Sequence, residues 1–278
     1  MLIPLTIALA YALGITLDKI VLSKWRVDYR TYTVVLFIFL VVICLALYPF
    51  LGHIDRAALE LKYLIYITIV VILATIFNIF FYLGIEREKV QEFEMILLLQ
   101  PLVIILVAAL LLRSERNWMI LPPAIIASLA LILSHLRRNH IHFDKYALLL
   151  LLVVFTSAFE TVLLKELMAV YSALALYLVR VAICLPFLWL FMKPTFEKLN
   201  FRNTFVIFIT AVLAVLQLTL SFWSYFHLTI VFTMIGLVVG PVLVYFFAAI
   251  FLKEKLTWRS MIAAVIILAC VVWATLIS

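Results

Sequence analysis

The stretch Gln100-Pro101-Leu102 through Leu112-Arg113-Ser114-Glu115-Arg116-Asn117-Trp118 is written twice in this chain. Adding 140 to each number gives Gly240-Pro241-Val242 through Leu252-Lys253-Glu254-Lys255-Leu256-Thr257-Trp258. Pro101 answers to Pro241, Ala108-Ala109 to Ala248-Ala249, Arg113 to Lys253 and Trp118 to Trp258, while the acidic residue slips, Glu115 against Glu254. Two hydrophobic segments, each broken by a proline and echoed at a fixed offset, imply that one half of the protein repeats the other.

Composition sets the solvent in which that repeat folds. Of the 278 residues 69% are hydrophobic and 13% charged, and the mean hydropathy is +1.31. Globular domains are about half apolar and a quarter charged, so the chain reads as a polytopic helical membrane protein. The net charge of +7 then belongs to short loops and is no nucleic-acid footprint. Cys44, Cys184 and Cys270 fall inside apolar runs and read as packing residues. His140-Ile141-His142 has no Cys or carboxylate cluster beside it and reads as loop, so neither metal nor cofactor is expected. The first span has no basic leader and no small-residue cleavage site, unlike a signal peptide.

Ten spans fit the hydropathy: Ile3–Leu22, Thr31–Leu51, Tyr63–Ile85, Gln91–Leu112 and Trp118–Leu136, then Tyr146–Leu167, Tyr171–Met192, Asn203–Phe226, Thr229–Leu252 and Trp258–Ile277. Each is close to the roughly 20 residues that cross a hydrocarbon core about 30 Å thick. The expected fold is all-α, with residues 1–140 forming one five-helix unit and residues 141–278 the second. Five is odd, so the second unit enters the membrane from the opposite side and the halves are inverted repeats. Further echoes agree: Asp18 answers to Glu160, Tyr29 to Tyr171 and Ala74 to Ala214.

A polar side chain within a span is costly unless it faces another helix or a water-filled cavity. Thr210, Ala214, Gln217, Ser221 and Ser224 recur at steps of three and four along the eighth span, with a thinner stripe, Thr68, Thr75, Asn78 and Tyr82, in the third. Asn78 and Gln217 are near-equivalents under the repeat. The stripes read either as interhelical glue or as the lining of a central cavity, with Tyr82 and Trp223 near their ends. Asp18 and Glu160 lie about 6–8 Å inside their spans by helical rise. Each reads either as a tethering ion pair, for instance Glu160 with Arg180, or as a binding or proton-coupling carboxylate. Glu94 is the one residue of the Glu86–Glu94 charge cluster expected to reach inward. Pro101 and Pro241, with Gln100 and Gly240 beside them, fall near mid-span, where proline frees a carbonyl and bends the helix, so Pro101, Gly240 and Pro241 are expected hinges. Thr229, Thr233, Gly236 and Gly240 share one face of the ninth span, a groove for close helix approach. Tyr177 and Arg180 set an aromatic and a fixed cation one turn apart.

Together these features resemble the drug/metabolite transporter superfamily, and within it the ten-helix EamA-like family. The two proline-centred segments ending in Leu112-Arg113-Ser114-Glu115 and Leu252-Lys253-Glu254-Lys255 carry the likeness, and Lys19 and Arg180, within Tyr177-Leu178-Val179-Arg180, look like the family's basic positions. Leu36 stands where an arginine is common in the family, which weakens a reading as an anion carrier, and the first span lacks the usual Trp-Gly pair. Phe159-Glu160-Thr161-Val162-Leu163 is similar to amine-carrying members. The resemblance implies a transporter rather than an enzyme, sited in a prokaryotic inner membrane.

The resulting expectation is a secondary-active carrier of a small organic solute, amino-acid or metabolite exporter-like, using alternating access coupled to protons or exchange. Asn78, Gln100, Gln217 and Ser221 would give polar contacts, Tyr82, Tyr177 and Trp223 aromatic ones, and Glu160 with Arg180 charged ones, with Asp18, Glu94 or Glu160 coupling. A carrier of amines such as choline, and a lipid flippase or scramblase, are the alternatives. No arrangement of Ser, His and carboxylates at matched depth suggests an embedded enzyme. The partners are the solute and the lipid bilayer; no nucleic acid is expected, and the oligomeric state is open. Lys19 and Arg180 lie within spans. Counting Lys165 and Arg259 at span ends with the adjoining loops, the odd-numbered loops carry 14 of the other 19 Lys and Arg and the even-numbered loops five. By the positive-inside rule the odd loops are cytoplasmic and both termini outside. Reporter fusions at residue 278 are therefore expected to report a non-cytoplasmic end, and a cytoplasmic signal would reverse the orientation.

Overall fold

In hydrocarbon every backbone N–H and C=O needs an internal partner, and helices supply it within one segment. The computed structural model describes residues 2–87, 99–116, 118–119, 121–135, 145–196, 199–240, 242–244, 247 and 258–277. Among the described residues the helices, in order, are α1 Leu2–Lys19, α2 Tyr29–Leu51, α3 Leu61–Arg87, α4 Gln100–Leu111, α5 Leu121–His135, α6 Lys145–Leu167, α7 Ala173–Met192, α8 Phe201–His227, α9 Ile230–Leu237 and α10 Trp258–Ile277. A π-helical turn, Ile20–Lys24, prolongs α1. Among the described residues five helical stretches are long and apolar enough to cross a membrane: Ile3–Leu22, Tyr29–Leu51, Leu61–Leu83, Ala173–Met192 and Phe201–His227. Polar caps start the helices where the loops end: Asp28 accepts from Arg30 N at 3.0 Å before α2, and Asn200 from Asn203 N at 2.8 Å before α8.

The packing pairs helices across the two halves. α2 lies along α7, α5 along α10 and α4 along α9. α1 packs on α8 as α6 does on α3, α1 touches α9 as α6 touches α4, and α2 touches α8 as α7 touches α3. This set of pairings is unchanged when each helix of the first five is exchanged for the one five places on.

The α2–α7 pair shows its direction through its ends. Ser172, the residue capping α7, accepts from His53 N at 2.9 Å and donates to Leu51 O at 3.0 Å, just past the C-terminus of α2. Backbone bonds from Asp55 N to Val170 O, 2.8 Å, and from Ser172 N to His53 O, 2.9 Å, widen that contact. At the other end Thr31, in the first turn of α2, donates to Thr195 O at 2.7 Å and accepts from Thr195 N at 3.1 Å, just past the end of α7. Each helix thus begins where the other finishes, and the two are antiparallel. A hydroxyl at each start serves backbone groups that the opposite helix end leaves unpaired.

The repeated Arg113–Arg116 segment acts through residues other than the basic pair singled out by the echo. Glu115 is 1% exposed. Its carboxylate accepts from Ile230 N and Val231 N at 3.1 and 3.0 Å, where the first turn of α9 offers free N–H groups, and it pairs with Lys165 at the end of α6. Arg116 donates to Ala109 O and Leu110 O, both at 2.8 Å, closing the last turn of α4. The expected groove on α9 is present: a Cβ on Gly236 would stand 2.2 Å from Pro4 Cβ, and one on Gly240 2.9 Å from Tyr11 Cδ1. Both glycines are required by the close approach of α1.

Pro101 is placed differently from the mid-helix kink the sequence suggests. It lies in the first turn of α4, whose N-cap is Leu99. Proline is tolerated there because its missing N–H is one that no helix start uses. In the ninth span α9 ends at Val238, its C-cap. Pro241 itself, like Glu94 and His140–His142, lies outside the described residues.

Paired cysteines introduced as Thr31→Cys with Thr195→Cys, and as His53→Cys with Ser172→Cys, should each form a crosslink in oxidising membranes. A membrane-impermeant reductant should reach the two crosslinks from opposite sides. Failure of either pair, or access to both from one side, would contradict the antiparallel seam.

Candidate functional site

Charge buried inside the helices falls at two places. Glu160 on α6 is 4% exposed and Arg180 on α7 is 7% exposed. Arg180 Nε donates to Glu160 Oε1 at 2.5 Å, so the tether from one helix to the next is formed. Tyr177, one turn before Arg180, meets Phe222 of α8 edge to face, with ring centroids 5.9 Å apart. Phe222 in turn lies 6.3 Å from Tyr225, which lies within electrostatic reach of Glu160 and Arg180. Cys184, one turn past Arg180, rests its Sγ 3.7 Å from Val71 O of α3 and 3.5 Å from Thr75 Oγ1. Four helices, α3, α6, α7 and α8, therefore close around this pair.

Asp18 on α1, the repeat counterpart of Glu160, is held otherwise. It is buried and accepts a hydrogen bond from the Tyr32 hydroxyl of α2. The Tyr32 ring meets Tyr82 of α3 at 5.5 Å and 58°. Tyr82 lies edge-on to Phe81 and within electrostatic reach of Asp18, Tyr177 and Arg180. Tyr82 thus joins the Asp18 cluster of one half to the Glu160–Arg180 cluster of the other. A carboxylate on the sixth or the first helix is answered in each case from the next helix, by a guanidinium in one half and a phenol in the other.

The structure brings together Glu160, Tyr177, Arg180, Tyr82 and Ser221 from the expected set, and adds Tyr11, Tyr32, Phe222 and Tyr225. Tyr225 was within reach of the sequence pattern, since it continues the stripe one turn beyond Ser221. Tyr32 lies at a helix start among residues with no distinguishing period, so no spacing singles it out. Other expected residues are engaged elsewhere. The Asn78 amide donates to Ala74 O of its own helix at 2.7 Å. Thr75, Thr210 and Ser221 likewise return their hydroxyls to carbonyls four residues back, at 2.8, 3.0 and 2.8 Å. Much of the polar stripe is therefore satisfied within its own helix. Ser224 of α8 crosses to Thr233 of α9 at 2.6 Å as glue between helices, as Thr75 of α3 does to Cys184 Sγ of α7 at 3.5 Å. Gln217 is half-buried, and Gln100 is half-buried in the first turn of α4. The Trp223 ring stacks on His227, centroids 4.3 Å apart, near the end of α8. Thr219 Oγ1 is buried without a partner among the described residues. No group of three or more His, Cys, Asp or Glu suited to a metal occurs among the described residues.

Residues 144–276 match the EamA-like transporter family. A solved crystal structure is similar to this chain with a TM-score of 0.78 at 13% sequence identity, covering 99% of this chain and 96% of that one. At that identity the likeness speaks for the fold alone. No curated protein matches the chain by sequence.

Breaking a buried ion pair by removing one partner leaves the other charge uncompensated, at a cost of about 3–5 kcal/mol. Glu160→Gln and Arg180→Gln are each expected to destabilise the detergent-solubilised protein by about that amount, and the double variant by clearly less than their sum. Unfolding of the four proteins followed by a conformational probe gives the coupling. Additive effects would mean that the pair does not act as a unit.

Proposed function

We propose, from the premise that this chain belongs through its second half to the EamA-like transporters of the drug/metabolite transporter superfamily, that it is a secondary-active carrier of small zwitterionic metabolites such as amino acids. It works by alternating access between two inverted five-helix units, residues 1–140 and 141–278. The observation that carries the reading is the buried Glu160–Arg180 pair, joined through Tyr82 to the other half of the molecule. A zwitterion offers a carboxylate to Arg180 and an ammonium to Glu160, and can replace the internal pair without leaving either charge bare. Tyr82, Tyr177 and Ser221 flank that exchange, with Asn78, Gln100, Gln217 and Trp223 at its margins.

The inverted arrangement is supported by the exchange symmetry of the helix pairings and by the antiparallel α2–α7 seam. Rocking of one unit on the other turns on the start of α4 at Leu99 and the end of α9 at Val238, with Pro101, Gly240 and Pro241 beside them. Breaks at mid-membrane depth are tolerated where backbone lines a cavity. No phosphate-binding glycine loop occurs in the sequence, so energy comes from an ion or solute gradient or from exchange. Glu160 already has a cation beside it, which counts against an amine carrier that would need it free. A prokaryotic cell membrane, with both ends of the chain outside, is the proposed setting.

Proteoliposomes loaded with a mixture of labelled amino acids are expected to exchange them against external amino acids, and Arg180→Gln to abolish that exchange. Choline flux without amino-acid flux, or translocation of labelled lipid without movement of any soluble probe, would overturn the reading.

A further inference from the structure

We propose that Asp18 is the residue that carries the transported proton, and that Glu160, its counterpart in the second half, carries none. The inference rests on the transporter reading and deepens it by naming the coupling ion and its seat.

The argument starts from what surrounds each carboxylate. Glu160 has a guanidinium on it. Asp18 has a phenol, the Tyr32 hydroxyl, and no cation pairs with it among the described residues. The difference is written into α2 and α7. Arg180 stands eight residues past Ser172, the N-cap of α7, and eight residues past Asp28, the N-cap of α2, stands Leu36. Where the second half supplies a fixed cation, the first supplies a buried leucine.

The groups facing Asp18 from each neighbour are few. Tyr11 lies within its electrostatic reach on α1 itself, and Lys19 follows it in the chain. α2 contributes Tyr32, α3 contributes Tyr82, and α8 contributes Thr210, close to Tyr32 with its own hydroxyl given to Val206 O. The described part of α9, packed on the same helix, carries no ionisable residue between Ile230 and Gly240. Phenols and hydroxyls can share a hydrogen bond with a carboxyl group, but they cannot cancel its charge. A carboxylate at this depth without a counter-cation is far less stable than its neutral acid. The proton is the one cation that neutralises it and needs no room in a packed cluster.

A route for giving the proton up begins one residue on. The π-helical turn Ile20–Lys24 starts directly after Lys19 and ends the first span, and π turns, rare overall, are frequent at functional sites. When α1 moves there and water reaches the cluster, the Asp18 O–H bond breaks and its proton passes to water. The carboxylate left behind is reloaded by a proton from water on the opposite side. Nothing is oxidised or reduced, and one proton crosses per cycle.

Infrared difference spectra of the purified protein, taken between about pH 5 and about pH 9, read the protonated-carboxyl C=O band directly. The band should titrate in the wild type and in Glu160→Gln, vanish in Asp18→Asn and return in Asp18→Glu. Tyr32→Phe, which keeps the carboxyl but removes its phenol partner, should displace the titration without abolishing the band. In proteoliposomes given the amino-acid mixture, Asp18→Asn should lose accumulation driven by a pH gradient. A band that persists in Asp18→Asn, or that is absent from the wild type at every pH, would overturn the assignment. So would gradient-driven accumulation that survives in Asp18→Asn. A titrating Asp18 band in a protein that moves no amino acid would instead overturn the substrate reading and leave the proton site standing.

Discussion

A helix buried in hydrocarbon has satisfied flanks and unsatisfied ends, and the antiparallel seam of α2 with α7 resolves that problem at both ends at once. Ser172 and Thr31 each stand at the start of one helix and serve the backbone just past the end of the other. Two helices that close each other's termini must run in opposite directions and side by side. Beside that pair the neighbouring helices cross to the other half, α1 onto α8 and α6 onto α3. The polar centre is therefore built from both halves, with neither able to form it alone.

Three buried carboxylates show how differently the interior treats one kind of charge. Removing an ion from water costs several kcal/mol even after relaxation, whereas one hydrogen bond to a charged group returns about 1.5–3 kcal/mol. Glu115 meets that cost with a lysine and two backbone N–H groups, and so ties the α4–α5 connection to the ends of α6 and α9. Glu160 meets it with a guanidinium. Asp18 has a phenol, which is too little to hold a bare charge. This inequality, rather than the depth of the residues, is what distinguishes the three sites.

The polar stripes illustrate what a period can and cannot say. Residues three and four apart do share a face of α8, and Thr210, Ser221, Ser224 and Tyr225 are buried there. Yet a hydroxyl in a helix can turn back to the carbonyl four residues earlier, and Thr75, Thr210 and Ser221 do so. The amide of Asn78 follows the same rule. Position on a face is a property of the helix, whereas the partner a side chain chooses depends on what the neighbouring helix brings near. The same holds for Pro101, whose residue type marks an interruption but leaves open whether it bends a helix or begins one.

By itself the amino-acid order determined the solvent, the helical class and the internal echo, because hydrophobic run length, the price of an unpaired backbone group in lipid and a repeated spacing are all local or one-dimensional quantities. It also marked Asp18, Glu160 and Arg180 as costly where they stand. Tertiary structure alone decided that Arg180 turns to Glu160, that Asp18 receives Tyr32, and that Glu115 starts a helix more than a hundred residues away. Those outcomes depend on which side chains the packed helices bring within about 3 Å of one another. Spacing along the chain carries no such distance.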